Sequence, residues 1–135
     1  MKKSLISLFL LVISFSSYSQ VSFEDGYYIT NSNQKINCQI KNIDWIDTPT
    51  EFEYRLSKDA TPKTLTIDSV KEFGIDNESR YERFTVDIDR SAEKTENLSE
   101  NKNPEFKQEQ LFLKLLIKGK ASLYVYKDHG LWRFF

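Results

Sequence analysis

The chain has one cysteine, Cys38, and one histidine, His129. A lone thiol excludes an internal disulfide, even in an oxidising compartment. A lone imidazole excludes the paired-histidine ligand sets of zinc enzymes, including a helical H-E-x-x-H. Neither a G-x-x-x-x-G-K-[ST] phosphate loop nor a G-x-G-x-x-G turn occurs, which removes the nucleotide-binding classes. No G-x-S-x-G elbow presents a nucleophilic serine. Charge of one sign is missing as well: 19 basic residues against 20 acidic ones leave a net charge of −1. Nucleic-acid binders concentrate positive charge, so no such partner is expected. Past the N-terminal region no apolar run is long enough to cross a bilayer as a helix. These absences point to no cofactor and no enzyme class.

What is present begins with an address. Met1-Lys2-Lys3 is followed by an apolar run from Leu5 to Ile13 and then by Ser16-Ser17-Tyr18-Ser19-Gln20. A charged start, a short apolar middle and a small-residue end are the three regions of a secretory signal peptide. Ser17 and Ser19 suit the −3 and −1 positions, so residues 1–19 read as the leader, cut before Gln20. The apolar run falls short of the roughly 20 residues that a membrane anchor needs. No cysteine stands directly after the cut, so a lipid anchor there is not expected. Residues 20–135 then form one β-rich domain of ordinary size, which would bury roughly two-thirds of its unfolded surface. The product should be exported, either periplasmic or associated with the outer membrane.

The densest apolar stretch outside the leader is LFLKLLIKGKASLYVYKDHGLWRFF, Leu111 to Phe135. It reads as three strands joined by two hairpins. Gly119 suits the first central position of a two-residue type II′ turn, where φ must be positive. That turn would set Leu116 opposite Leu123, Leu115 opposite Tyr124 and Leu113 opposite Tyr126. Leu111, Leu113, Leu115, Ile117, Tyr124 and Tyr126 would share one side. A three-residue turn at Asp128-His129-Gly130 would pair Tyr126 with Trp132 and Tyr124 with Phe134, adding both aromatics to that side.

Upstream, strands are expected at Phe23 to Thr30, Lys35 to Ile46, Glu51 to Leu56, Lys63 to Ile67, Val70 to Ile75 and Arg80 to Asp89, separated by polar turns. Ile36, Cys38 and Ile40 share one parity and Ile43 and Trp45 the other, which suggests a bulge or bend near Lys41-Asn42. Arg90 to Gln110 loses periodicity and is strongly polar, so residues 90–110 read as one long mobile polar loop. The fold class expected is all-β: an antiparallel sandwich or open barrel of about eight or nine short strands.

Few residues offer chemistry. Asp87 and Asp89 lie two apart on a strand, with carboxylates on one face about 7 Å apart. They could contact a hard cation or serve a hydrolase, but calcium wants six to eight oxygens. Their ordinary role is a solvated edge with Arg90 or Arg83 as counter-charge. Cys38 reads as a small core hydrophobe. Tyr124, Tyr126, Trp132 and Phe134 are either core or a platform for a glycan or an apolar molecule. Uncovered sheet edges offer a further mode, strand addition by a protein or cell-surface partner.

Several stretches also resemble uncharacterised exported proteins of flavobacteria. They are the leader, Phe23 to Ile29 with its Gly26-Tyr27 step, Ile43-Asp44-Trp45 leading to Pro49-Thr50-Glu51-Phe52-Glu53-Tyr54, and Leu111 to Tyr126. In longer members this β-rich segment looks like an N-terminal domain preceding an outer-membrane β-barrel. The resemblance implies an envelope location and carries no catalytic residues. A non-enzymatic envelope domain that binds or assembles through a sheet edge and the polar loop is therefore expected, with aromatic-face ligand binding as the alternative.

Overall fold

The computed structural model describes residues 22–91, 103–104 and 106–135. The leader and most of the polar loop lie outside them. Nine strands stand among the described residues: β1 (Ser22–Thr30), β2 (Lys35–Asn42), β3 (Glu51–Arg55), β4 (Lys63–Thr66), β5 (Val70–Ile75), β6 (Ser79–Asp89), β7 (Phe106–Ile117), β8 (Leu123–Asp128) and β9 (Leu131–Phe134). They form one open antiparallel sheet in the order β4-β3-β2-β1-β5-β6-β7-β8-β9. The all-β class is borne out, and the sheet does not close into a barrel.

The sheet cannot be flat. β4 and β5 are four strand positions apart, about 19 Å in a flat sheet at the usual spacing. Only Ile67, Asp68 and Ser69 link them, and four residue steps reach about 14 Å at most. The β4-to-β5 half must therefore curl over one face. Phe52 of β3 accordingly stacks on Phe73 of β5, with ring centroids 4.1 Å apart. The pairs Ile40↔Tyr54, Tyr28↔Phe73 and Phe73↔Tyr81 set those side chains on that face. Together with Cys38, Phe52, Ile75 and Phe112 they make the first core. Gly26 lets β1 and β5 meet there: a Cβ on it would fall 2.3 Å from the Gly74 carbonyl oxygen.

β6 to β9 curl toward the opposite face. The pairs Phe84↔Leu111 and Leu115↔Tyr124 place these residues there. Ile88, Leu111, Leu113 and Tyr126 form a second core, with Phe84, Val86, Tyr124 and Phe135 packed against it. Arg133 of β9 closes the roll, donating to the carbonyl oxygens of Asp89 (2.8 Å) and Ser91 (3.0 Å) at the end of β6. Leu111-Phe112-Leu113 is thus buried on both faces, Phe112 serving the first core and the two leucines the second.

Four expectations need correction. Phe106–Gln110 belongs to β7, paired with Thr85–Asp89, so the loop expected over 90–110 ends earlier; 11-residue β6 extends the template along which these polar residues pair. β2 ends at Asn42, whose side chain accepts the Asp44 N–H at 3.0 Å. Asp44 takes a positive φ of 48°, and Trp45 turns back onto Phe73 and Tyr81 at 5.8 Å from each ring. The parity change at Ile43 and Trp45 is the chain leaving the sheet, not a strand bulge.

The other two corrections are in the hairpins. Five residues, 118–122, join β7 to β8, and Gly119 has no positive φ. A loop of that length does not require one. Leu115 does face Tyr124, but Ile117 rather than Leu116 faces Leu123, with Leu116 absorbed as a bulge. At the second hairpin the turn is His129-Gly130 alone, with φ 46° and 90°, the signs of a type I′ turn. Asp128 pairs with Leu131, Tyr126 with Arg133 and Val125 with Phe134. This one-residue slip sends Trp132 and Phe134 to the face opposite Tyr124 and Tyr126.

Candidate functional site

Exposed apolar surface concentrates at the β7–β9 end. Of the eight large apolar side chains exposed among the described residues, five lie on these strands: Phe106 at the start of β7, and Leu116, Ile117, Trp132 and Phe134. A sixth, Ile46, lies beside β8, sharing a small crevice with Val125 and Lys127. It belongs to the strap 43–50 that joins β2 to β3. β7 pairs with β8 from Lys114↔Val125 outward; inward of that pair the strap takes over. The Thr48 N–H donates to the Lys127 carbonyl oxygen at 2.8 Å, and the Lys127 N–H donates to Thr48 Oγ1 at 2.9 Å.

β9 stands at the end of the sheet. Phe135 and Tyr124 exchange two backbone bonds, 2.9 and 3.0 Å. The antiparallel alternation then points the backbone groups of Trp132 and Phe134 away from β8. The Trp132 carbonyl oxygen accepts from Arg133 Nη1 at 2.9 Å. Trp132 and Phe134 are 47% and 58% exposed, and the Lys127 ammonium lies 3.8 Å from the Trp132 ring centroid. β4, at the other end, is dressed differently: Lys63, Thr64 and Thr66 are exposed and Leu65 is half-buried. Lysine is a common guard of a strand edge. β9 presents aromatic side chains instead.

The four aromatics read as either core or a platform are therefore divided. Tyr126 is buried and Tyr124 half-buried in the second core, where Tyr124 meets Phe84 edge-on at 5.0 Å. Burial pushes both phenols above their ordinary value. Only Trp132 and Phe134 remain together as exposed rings.

Asp87 and Asp89 do share a face, opposite Gln108 and Phe106. Asp87 is exposed, whereas Asp89 lies 3.6 Å from Arg133 and accepts the Ser91 N–H. The expected counter-charges are engaged elsewhere. Arg83 donates to the Ile67 carbonyl oxygen at 2.8 Å and to Asn31 at 2.9 Å. Arg90 pairs with Glu109 and with Asp128, the latter at 2.9 Å. Cys38 is buried in the first core as expected, and burial pushes its thiol up to about 11.

Sequence reasoning missed two polar clusters. Buried Glu72 accepts from the Tyr27 hydroxyl at 2.5 Å and from Arg80 at 3.0 Å. Burial, reinforced by that bond, raises Tyr27. The available signal was a glutamate inside the otherwise apolar VKEFGI strand. In the second cluster, Asp47, Asp128 and His129 each bring a ligand atom within 4.8 Å of the others. The His129 ring pairs with Asp128 at 2.5 Å, and the His129 backbone N–H donates to Asp47 at 3.1 Å. That pairing holds Asp128 below its ordinary value, with Arg90 adding to the effect, and raises His129. The cluster lies at the surface, offers three ligands where calcium wants six to eight, and already uses Asp128 to hold Arg90. Its sequence signal was the pairing of Asp47 with a turn some eighty residues away, which no local pattern carries.

No family model matches the chain, and no curated protein or solved structure matches it either.

Proposed function

We propose that the chain is an exported, non-enzymatic binding domain of the cell envelope that takes a partner polypeptide along β9. One observation carries the reading: an end strand whose Trp132 and Phe134 present exposed aromatic side chains and outward backbone groups together. Strand addition needs that combination, since main-chain bonds supply affinity and alternate side chains supply specificity. The leader-like residues 1–19 and the resemblance to exported flavobacterial proteins support the location, periplasmic or at the outer membrane. The polar segment between β6 and β7 is an auxiliary contact in the same proposal.

The test places a photo-crosslinking side chain at position 131 in the full chain, expressed with its leader. A discrete adduct is expected, of twice the chain mass for a second copy and of another mass for a different partner. Phe134→Pro removes an outward N–H without removing a ladder bond, so it should abolish the adduct while the melting temperature holds. An adduct unaffected by proline, or no adduct, would contradict strand addition. The aromatic-ligand alternative retains only Trp132 and Phe134, which share a face and are exposed. A glycan titration that leaves tryptophan fluorescence unchanged would remove it.

A further inference from the structure

We infer that the β7–β8 hairpin tip is a docking site for an anionic phospholipid surface. This inference does not rest on the β9 reading, because it uses different residues and a different partner. From Leu111 to Tyr126 the sequence contains three lysines, Lys114, Lys118 and Lys120, and neither an acidic residue nor an arginine. In a chain of net charge −1, that is a local concentration of one sign. The bulge at Leu116 breaks the strand alternation just before the turn. Leu116 and Ile117 are both left exposed, at 47% and 60%, and Lys118 and Lys120 follow directly in the exposed loop.

Two adjacent branched aliphatic residues at a projecting turn can enter the headgroup boundary while the lysines stay at the phosphate level. Lysine stems lie along apolar surface and keep the ammonium in water, which suits that interface. Each lysine near an anionic membrane surface contributes about 1 kcal/mol. An acidic protein partner fits less well. Protein interfaces are depleted in lysine and enriched in arginine, whose planar fork matches a fixed carboxylate. Point charges on flexible stems suit a diffuse layer of phosphates better.

The experiment is flotation of the folded protein with vesicles of phosphatidylcholine alone or mixed with phosphatidylglycerol. Binding is expected only with phosphatidylglycerol and should weaken as salt rises. Lys118→Gln with Lys120→Gln should weaken it about thirtyfold, the equivalent of two lysines at the constant above. Leu116→Ser with Ile117→Ser should also reduce it, since the apolar insertion is lost. All four positions are exposed, so both double variants should keep the parent melting temperature, and a conservative Lys118→Arg with Lys120→Arg pair should retain binding. The inference is overturned by no flotation with anionic vesicles, by equal flotation with neutral ones, or by variants that bind like the parent. Equally tight binding to soluble polyglutamate would overturn it too, assigning the tip to acidic polypeptides. Loss of the β9 crosslink leaves these outcomes unaffected, so failures of the two proposals are distinguishable.

Discussion

The two halves of the sheet roll in opposite directions and are held by different forces. β4 to β5 close over aromatic rings: Phe73 lies between Phe52 and Tyr81, stacked at 4.1 and 4.9 Å, with Phe112 edge-on at 5.0 Å. β6 to β9 close over a mixed core, Ile88, Leu111 and Leu113 with Tyr126, Phe84 and Tyr124, and a rim of arginines, Arg90 reaching Glu109 and Asp128 and Arg133 reaching the end of β6. The first roll also has a cover, the strap carrying Trp45, which the second lacks among the described residues. Stacked rings give large buried area without dependence on pH. A charged rim half in water stabilises less and responds to acid.

The comparison breaks most sharply in the aromatic core. Phe73→Ala should cost about 4 kcal/mol, read by denaturant unfolding. Hydrogen exchange should then show β1–β5 opening ahead of the Ile88–Leu113 region; uniform acceleration in both would mean the rolls do not open separately. Gly26→Ala, which puts a methyl into the Gly74 carbonyl, should cost about 3 kcal/mol by overpacking. A melting temperature unchanged by that methyl would show the strand approach to be looser than described.

Arg90→Met tests the other roll and should cost about 1 to 2 kcal/mol, discounted because the pair is partly exposed. Glu109 is held below its ordinary 4.5 by Arg90, and Asp128 below its ordinary 3.8 by His129 and then Arg90. A depressed carboxylate contributes fully above its ordinary value, and the contribution is lost as pH falls through the lowered one. Melting curves between neutral and acid pH should therefore fall less steeply in Arg90→Met. The smallest effect is expected at the β8–β9 turn: His129→Asn suits the positive φ of 46° and should raise the melting temperature slightly; a lowered melting temperature would show that the Asp128 contact matters more than the turn preference.

Strand existence was legible throughout because alternation marks half-buried strands, as in Glu51 to Leu56, where Phe52 and Tyr54 are buried and Leu56 falls just past the strand. Register was not. His129 occupies a turn position where asparagine or aspartate would have announced a two-residue loop, and a single-residue slip there changed which aromatics face solvent. The roll was hidden for a different reason. A pattern of period two says that a face is buried but not what covers it, and Phe52 on Phe73 is a contact between strands that are not neighbours. Thr48 beside Lys127 is similar: a loop took the place of a strand partner, and no periodicity marks it. The candidate site was therefore legible as a set of residues, Trp132 and Phe134 included, and not as a surface.

Residue-resolved amide exchange in β9 is the most direct test of the binding edge. Arg133 and Phe135 amides should exchange slowly, being turned toward β8, while Trp132 and Phe134 amides should exchange as free outward groups. Protection at Trp132 and Phe134 with fast exchange at Arg133 and Phe135 would contradict the register, and with it the strand proposed to receive a partner.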